Sequence, residues 1–532
     1  MSTDEDGDRR NLLSFLGSAK SYPHNPREIR HCQTHASDVF IAPPFVYKIK
    51  KPVDFGFLDF TTLEKRKYFC EREIVLNRRL CAGTYLGVEE IRLGRDGFSF
   101  GGDGEIVEYA VKMRKLPEER FLKNLLREGK CSGEDFKRLA RKLTDFYGGQ
   151  SPGGEVTSNG EPANVKSIID DNERTVKNFI GKTISRTTWE AIHFFNETFF
   201  AEKGALFTAR KDGGFIKDCH GDLHMEHINI CPDDICIYDC IEFNDRFRNI
   251  DVACDVGFLA MDLDFNGYFG LAREFVDDMA GALGESAAGV LDFYKCYRAY
   301  VRGKVGSLTS VGEGVPEDER REAAKSAREY FSLALRYALF GSSPTVIVTF
   351  GIIGSGKSTV AEMLAKELSC PVVSSDRVRK EITGTGVTER RREGYESGIY
   401  SEETTARTYG EIISRGEDAL EKHNTVILDA SFSKRRWRDM LAERSAGAGF
   451  NVVFIQTTAP EDVIQKRLIK REKEGTSVSD AGPGMLEKFT ADFEEPDELR
   501  PGALFEADTD ADPEEILSRL LRAMITAGIS SL

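Results

Sequence analysis

The sequence has no apolar run near the ~18 residues that a membrane-crossing helix needs, so a transmembrane protein is not expected. Its opening stretch, MSTDEDGDRRNLLSFLGSAK, is acidic and lacks an apolar core, and does not read as a signal peptide. Basic residues are in the minority: 73 Lys and Arg stand against 88 Asp and Glu, a net charge of −15. That balance weighs against non-specific binding to nucleic acid or to an anionic membrane, although a local basic groove is compatible with it. A disulfide framework is also missing. The eleven cysteines are odd in number, all lie at or before Cys370, and follow no framework pattern. Reduced thiols in a cytoplasm are the simplest expectation. No internal repeat is evident. What is present is a soluble globular composition, 40% hydrophobic and 30% charged. The 532 residues suffice for roughly three to four domain-sized units.

The most informative positive feature is GIIGSGKST at 351–359. Before it, TVIVTF (345–350) reads as a buried strand; after it, Val360, Met363, Leu364 and Leu368 recur at helical spacing. Strand, glycine-rich loop and helix form the setting in which backbone N–H groups cradle phosphates. Gly351, Gly354, Ser355, Gly356, Lys357, Ser358 and Thr359 are the expected nucleotide-binding residues. Lys357 would reach the β- and γ-phosphates, and the Ser358 hydroxyl would ligate Mg²⁺. The competing reading, a Gly-rich turn that happens to precede a helix, leaves the Lys-Ser register unexplained.

Residues 148–164, rich in Gly, Ser, Pro and Asn, read as a loop or disordered insertion. A turn at 311–317 precedes a long helical pattern over 318–339, which GSSP (341–344) ends. The main boundary is expected there, giving domains 1–340 and 344–532. In the second, PVVSSD (371–376), NTVILDASF (424–432) and NVVFIQTTAP (451–460) alternate with amphipathic helices, which predicts a doubly wound parallel sheet. Ligands bind at the carboxyl ends of such strands. Asp376 and Asp429 fall at such ends, Asp376 as substrate contact or catalytic base and Asp429 near Mg²⁺. Helix capping is the alternative for both.

The C-terminal half resembles the small P-loop kinases grouped around gluconate kinase, zeta toxins and polynucleotide kinase. The match rests on GIIGSGKST, on SSDRVRKEI with Asp376 and Arg379, and on ILDASFSKRRWR. The basic stretch QKRLIKRE followed by SDAGPG (479–484) looks like a lid supplying arginines to the phosphates. Arg467 or Arg471 would be that arginine, and Arg435 or Arg438 a further substrate or phosphate contact. A solvated basic face is the alternative.

Upstream, HGDLHMEHIN (220–229) is followed by IYDCIEFNDRFRNIDVACD (237–255). A His-x-Asp turn, a short hairpin and a second Asp on the next strand are what a kinase-like fold uses. Asp222 would accept the proton of the acceptor hydroxyl, and Asp239 would hold Mg²⁺. These residues resemble the aminoglycoside phosphotransferase and choline kinase-like family, whose catalytic loop typically reads HGDLHxxN. The resemblance implies a two-lobed protein-kinase-like fold, with lobes near 25–115 and 116–340. It also implies a phosphate-contacting Lys48 in FVYKIKKP, with Lys50 on the same face, and Glu73 as ion-pair partner on a helix over 61–80. One position departs from the family. His227 stands where the metal-binding Asn is usual, and Asn229 lies two residues on. Mg²⁺ prefers hard oxygen ligands. This leaves Asp239 alone, Asp239 with His227 or Asn229, or an inactive site. Zinc at His220, His224 and His227 with Cys231, Cys236 and Cys240 is a rival reading. It lacks C-x₂-C pairs, and the cysteines read as small core residues.

The order of the two halves looks like bacterial proteins that fuse an aminoglycoside phosphotransferase-like domain to a P-loop ATP-binding domain. The leading expectation is a kinase using ATP and Mg²⁺, moving the γ-phosphoryl to a hydroxyl of an unidentified small molecule, with two tandem sites. The alternatives are a nucleotide-controlled binding protein with a degenerate kinase-like domain, and a nucleic-acid-end kinase, which the net charge disfavours.

Overall fold

The computed structural model describes residues 3–384, 401–474 and 483–531. The chain divides into two compact units, one of residues 1–164, 207–263 and 270–287, the other of 165–206, 264–269 and 288–532. The division therefore does not fall at the expected boundary of 341–344. The reason is packing. The helix Glu317–Phe340 buries Leu333, Leu335 and Leu339 and lies against the helices Leu291–Thr309, Lys357–Leu368 and Pro513–Ser531. Gly341 does end it as expected, at φ +60°, where a Cβ would meet the Asp292 carboxylate at 2.3 Å.

The first unit is built on an antiparallel sheet of β1 (Arg30–Gln33), β2 (Ser37–Ala42), β3 (Phe45–Lys50), β4 (Tyr85–Gly94), β5 (Gly97–Phe100) and β6 (Glu105–Arg114), in the order β1-β2-β3-β6-β4-β5. Strand alternation decides its two faces. In β3, Tyr47 and Ile49 enter a core with Tyr22, Phe40 and Ile91, while Lys48 and Lys50 share the opposite face. The helix Leu63–Asn77, capped by the Thr62 hydroxyl, packs on β4 and β6 and carries Glu73. Further on, β7 (Ile216–Asp218) pairs with β10 (Asn249–Asp251), and β8 (Ile228–Ile230) with β9 (Ile235–Ile237), both antiparallel. Residues 148–164 are not a bare loop: short helical turns at Gly154–Thr157 and Ser158–Gly160 lead into the helix Pro162–Val176. Gly160 is buried there because a Cβ would lie 2.3 Å from Ile216 Cγ1. Cys81 and Cys236 are joined by a disulfide, so uniform reduced thiols do not hold. The pair is 155 residues apart, a separation that no spacing rule announces.

The second unit contains a wholly parallel sheet of β11 (Thr345–Phe350), β12 (Val372–Ser374), β13 (Thr425–Asp429), β14 (Asn451–Thr458) and β15 (Leu504–Asp508), ordered β12-β13-β11-β14-β15. The parallel sheet is as expected, with β15 as a strand the sequence did not announce. All six residues of β11 are buried, and Val346, Val348 and Phe350 join Leu428, Phe432 and Phe454 in one core. Upstream sequence completes this unit. The helix Arg186–Asp212 supplies Phe199, stacked 4.5 Å from Phe293, and Ser185 and Thr188 donate to the Glu367 carboxylate at 2.5 and 2.6 Å. No helix among the described residues is long and apolar enough to cross a membrane.

Candidate functional site

β11 is the central strand, and the chain leaves its carboxyl end through 351–356 into the helix Lys357–Leu368. Gly354 and Gly356 turn at φ +74° and +98°, conformations that side chains resist. Space excludes them too: a Cβ on Gly351 would lie 2.6 Å from the Thr457 carbonyl oxygen, and one on Gly356 2.9 Å from Thr509 Cγ2. The loop is a cradle of backbone at a helix N-terminus, the arrangement that favours an anion. Ser355 serves it differently from its neighbours. Its hydroxyl faces inward, 2.8 Å from the Ile352 carbonyl and 2.7 Å from Thr457 Oγ1, and so braces the loop.

Lys357 Nζ donates to the Ile352 carbonyl at 2.8 Å. Burial lowers its pKa, against the pull of Asp429 and Asp376. Ser358 Oγ donates to Asp429 Oδ2 at 2.7 Å, and Thr349 Oγ1 approaches Oδ1 at 3.4 Å. Asp429 is the last residue of β13, in register with Thr349 of β11. Burial raises its pKa, while the Ser358 hydrogen bond and Lys357 oppose the rise. Its carboxylate takes hydroxyl donors and caps no helix. A hydroxyl and a carboxylate are hard oxygen donors of the kind Mg²⁺ takes, so the residues fit that ion, and Ser358 and Asp429 would hold it.

A cavity of about 850 Å³ opens beside the loop, lined by Lys357, Ser358, Thr359, Asp376 and Asp429 among others. Asp376 lies in the first turn of the helix Ser375–Ile382, whose N-cap is Ser374, so it is not the cap. The expected arginines separate here. Arg471 lines the cavity. Arg467 does not: it donates to Thr509 Oγ1 at 2.8 Å and to the Thr509 carbonyl at 2.6 Å, and Thr509 in turn donates to the Ser355 carbonyl. It props the phosphate loop from behind. Arg438 is also withdrawn as a substrate contact, being buried with Glu498 at 2.5 Å and the Phe432 carbonyl at 2.8 Å. Arg435 is exposed beside Asp439, and Lys434 and Arg436 line the cavity in its place. Residues 479–482 of the expected lid lie outside the described residues.

In the first unit, Lys48 Nζ meets Glu73 Oε1 at 3.0 Å, as expected, and also Asp239 Oδ1 at 2.6 Å. Lys50 shares the same carboxylate, 2.8 Å from Glu73 Oε2, and pairs with Glu242. Burial works against these charges, but Lys48 and Lys50 hold Glu73 below the usual range, and Lys48 does the same for Asp239. Asp239 sits at φ +63°, its N–H donating to Tyr85 Oη at 3.2 Å. Such a conformation is held by surroundings, as at functional sites.

The turn bearing Asp222 is fixed by Asp255, whose carboxylate accepts from the N–H of His220 and of Gly221 at 2.9 Å. Asn229 is withdrawn as a metal ligand: its Nδ2 donates to the Pro117 carbonyl at 2.8 Å, and its Oδ1 accepts from Cys231 at 3.5 Å. The histidine–cysteine zinc set does not assemble either, since Cys236 is in the disulfide and Cys240 lies against Arg79. Asp222, His224 and His227 come together instead, one donor atom of each within 4.8 Å of the others. Burial and the neighbouring His224 push His227 down to about 4. The sequence reading groups His224 and His227 with the cysteines and gives Asp222 to proton transfer, and so misses Asp222 as their companion.

Residues 346–496 match a family described as AAA domain. Among solved structures, a gluconokinase from Sinorhizobium meliloti 1021 is similar at 21% identity, over 35% of this chain and 95% of that one, with a TM-score of 0.26. The Mycobacterium tuberculosis APS kinase CysC, in complex with AMPPNP and APS, is similar at 17% identity over 34% and 96%, with a TM-score of 0.25. Over most of the chain the likeness is to a Mycobacterium tuberculosis protein named Uncharacterized protein Rv2004c. It is 30% identical over 443 residues, 82% of this chain and 85% of that protein. A Mycobacterium bovis protein, Uncharacterized protein Mb2027c, matches to the same extent. With its phosphate cradle, its Ser358–Asp429 pair and this shared length, the chain is a mixed α/β protein with a P-loop NTPase domain, and it belongs to the family of these mycobacterial proteins.

Proposed function

We propose that the chain is an ATP-dependent phosphotransferase whose P-loop unit moves the γ-phosphoryl of ATP to a hydroxyl of a small molecule. The observation that carries this reading is the convergence of Lys357, the Ser358–Asp429 pair and Asp376 on one cavity at the carboxyl edge of a parallel sheet. The backbone of 354–358 orients the phosphates. Lys357, released from the Ile352 carbonyl, neutralises charge that grows on the transferring group, and Arg471 adds to it. Asp376 orients the acceptor hydroxyl and takes its proton. Mg²⁺, which Ser358 and Asp429 would hold, would supply charge neutralisation at the phosphates.

The first unit is read as a kinase-like nucleotide site, supported by the Lys48–Glu73 pair and by Asp239 beside it. The test is a ³¹P-detected screen of sugars, amino alcohols, nucleosides and oligonucleotides with the full chain, ATP and Mg²⁺. One acceptor should be phosphorylated, and Asp376→Asn should slow that transfer by about 10²–10⁴-fold with ATP affinity retained. ATP turnover indifferent to every acceptor would support the regulatory alternative instead. Loss of thermal stability alone in Asp376→Asn would return that residue to a structural role.

A further inference from the structure

We propose that the first unit binds a divalent transition-metal ion of the Zn²⁺ class through Asp222, His224 and His227, with Asp239 closing the site. The geometry is that of a ligand set. His224 Nε2 lies 3.5 Å from Asp222 Oδ2. Either ring nitrogen of His227 has a carboxylate oxygen at a similar distance, Nδ1 with Asp222 Oδ2 at 3.5 Å and Nε2 with Asp239 Oδ2 at 3.6 Å. Ligand bonds of about 2.1 Å in a tetrahedron put neighbouring donors about 3.4 Å apart. The His224 Nε2–Asp222 and His227 Nε2–Asp239 separations are too long for good hydrogen bonds and right for donors around a shared ion.

The surrounding bonds hold the donors in place. His227 Nδ1 lies 2.9 Å from the Asp222 carbonyl. When that nitrogen carries the proton it donates there, which leaves Nε2 as a lone pair toward Asp239, the support usual for a ligating histidine. The loop between the two histidines is pinned where the Met225 N–H donates to Asp262 at 2.9 Å, and the Asp222 turn is pinned by Asp255. The histidine rings lie with centroids 3.9 Å apart, tilted by 37°, between Phe258 and Tyr238. Two imidazoles with carboxylates suit Zn²⁺, Co²⁺ and Mn²⁺ and disfavour Mg²⁺, which keeps to oxygen. The assignment does not require nucleotide, so it stands or falls apart from the phosphotransferase reading.

The experiment uses the full chain, stripped with a chelator and without nucleotide. Zn²⁺ binding is measured by calorimetry and elemental analysis, and Co²⁺ is added as a coloured probe. The expected result is one equivalent of Zn²⁺, a Co²⁺ visible spectrum of tetrahedral or five-coordinate type that Zn²⁺ bleaches, and retention in millimolar Mg²⁺. Single variants His224→Asn and His227→Asn should each weaken Zn²⁺ by more than about 100-fold, beyond the loss from an outer-shell change. Circular dichroism and ATP binding at the P-loop report whether each variant is folded. Absence of Zn²⁺ binding in the unaltered chain overturns the proposal. So does undiminished binding in a folded His224→Asn/His227→Asn double variant, which would put the ion on cysteine elsewhere.

Discussion

Replacing Ser358 with Ala tests the metal pair and separates two effects of one hydroxyl. In the structure that hydroxyl donates to Asp429 Oδ2 at 2.7 Å, and the other bond to this buried carboxylate, from Thr349, is long at 3.4 Å. A hydrogen bond to a charged partner contributes about 1.5–3 kcal/mol. Taking about 2 kcal/mol, the variant should melt roughly 3 °C lower in the absence of ligand, since the unit is large. The loss should depend on pH. Burial raises the Asp429 pKa, so the unfolded chain gives up that proton first, and stability falls as pH rises through the interval above the unfolded value. Removing the Ser358 donor lifts the folded value further. The deficit is then smallest near the unfolded carboxylate value of about 4 and largest at neutral pH. Turnover should suffer separately, because on the proposed reading the same oxygen would be an Mg²⁺ ligand. We expect at least a 100-fold fall in kcat/KM, about 2.7 kcal/mol, and a tenfold or larger rise in the Mg²⁺ concentration for half-maximal rate. Steady-state kinetics across a Mg²⁺ series, with calorimetric melts at three pH values, measure all of this. A folded Ser358→Ala protein with unchanged Mg²⁺ dependence would refute the assignment of Ser358 and Asp429 as its ligands.

Two further outcomes distinguish residues that the sequence left equivalent. Arg471→Ala should lower kcat by about 100-fold with little change in melting temperature, since it faces the cavity. Arg467→Ala should lower the melting temperature and raise KM for ATP, since it holds Thr509 against the phosphate loop. Matching effects of the two substitutions on kcat would contradict this division. Arg438→Ala should cost about 3–5 kcal/mol in denaturant titrations by stranding the Glu498 carboxylate, with ATP affinity in the surviving folded protein unaltered. A cost below about 1 kcal/mol would mean that Glu498 finds another partner.

The phosphate loop was legible because its function needs contiguous residues, and a strand and helix must flank it for physical reasons. Lys48 with Glu73 was legible through resemblance, each carried by an element whose period placed it. The arginines were not. Arg467 and Arg471 are four apart on one helix face, so spacing cannot separate them; a hydroxyl on β15's far end, at Thr509, does. Likewise the start of a helix at Arg435 sets which of Lys434, Arg435 and Arg436 turns to the cavity, and a one-residue shift changes the answer. Asn229 was chosen for its oxygen, but its place in β8 puts its amide on the Pro117 carbonyl. The contact division departs from 341–344 because GSSP marks where a helix ends, and nothing local says which helices that helix packs against.

The chain's repeated passage between units has a consequence for synthesis. The segment 165–206 belongs to the second unit, yet Glu367, which its Ser185 and Thr188 bind, follows roughly 160 residues later. At a ribosomal pace of about 5–20 residues per second, that is on the order of 8–30 s of waiting. Phe293, on which Phe199 stacks, arrives about midway through this interval, but Ser185 and Thr188 have no Glu367 to bind until its end. The emerging protein must therefore carry this segment with its Glu367 contacts unmade until its last third is made. Early termination would leave that segment as a target for chaperones and proteases, and nascent-chain proteolysis at successive lengths should find it protected only once β11 and the helix after it have cleared the ribosome.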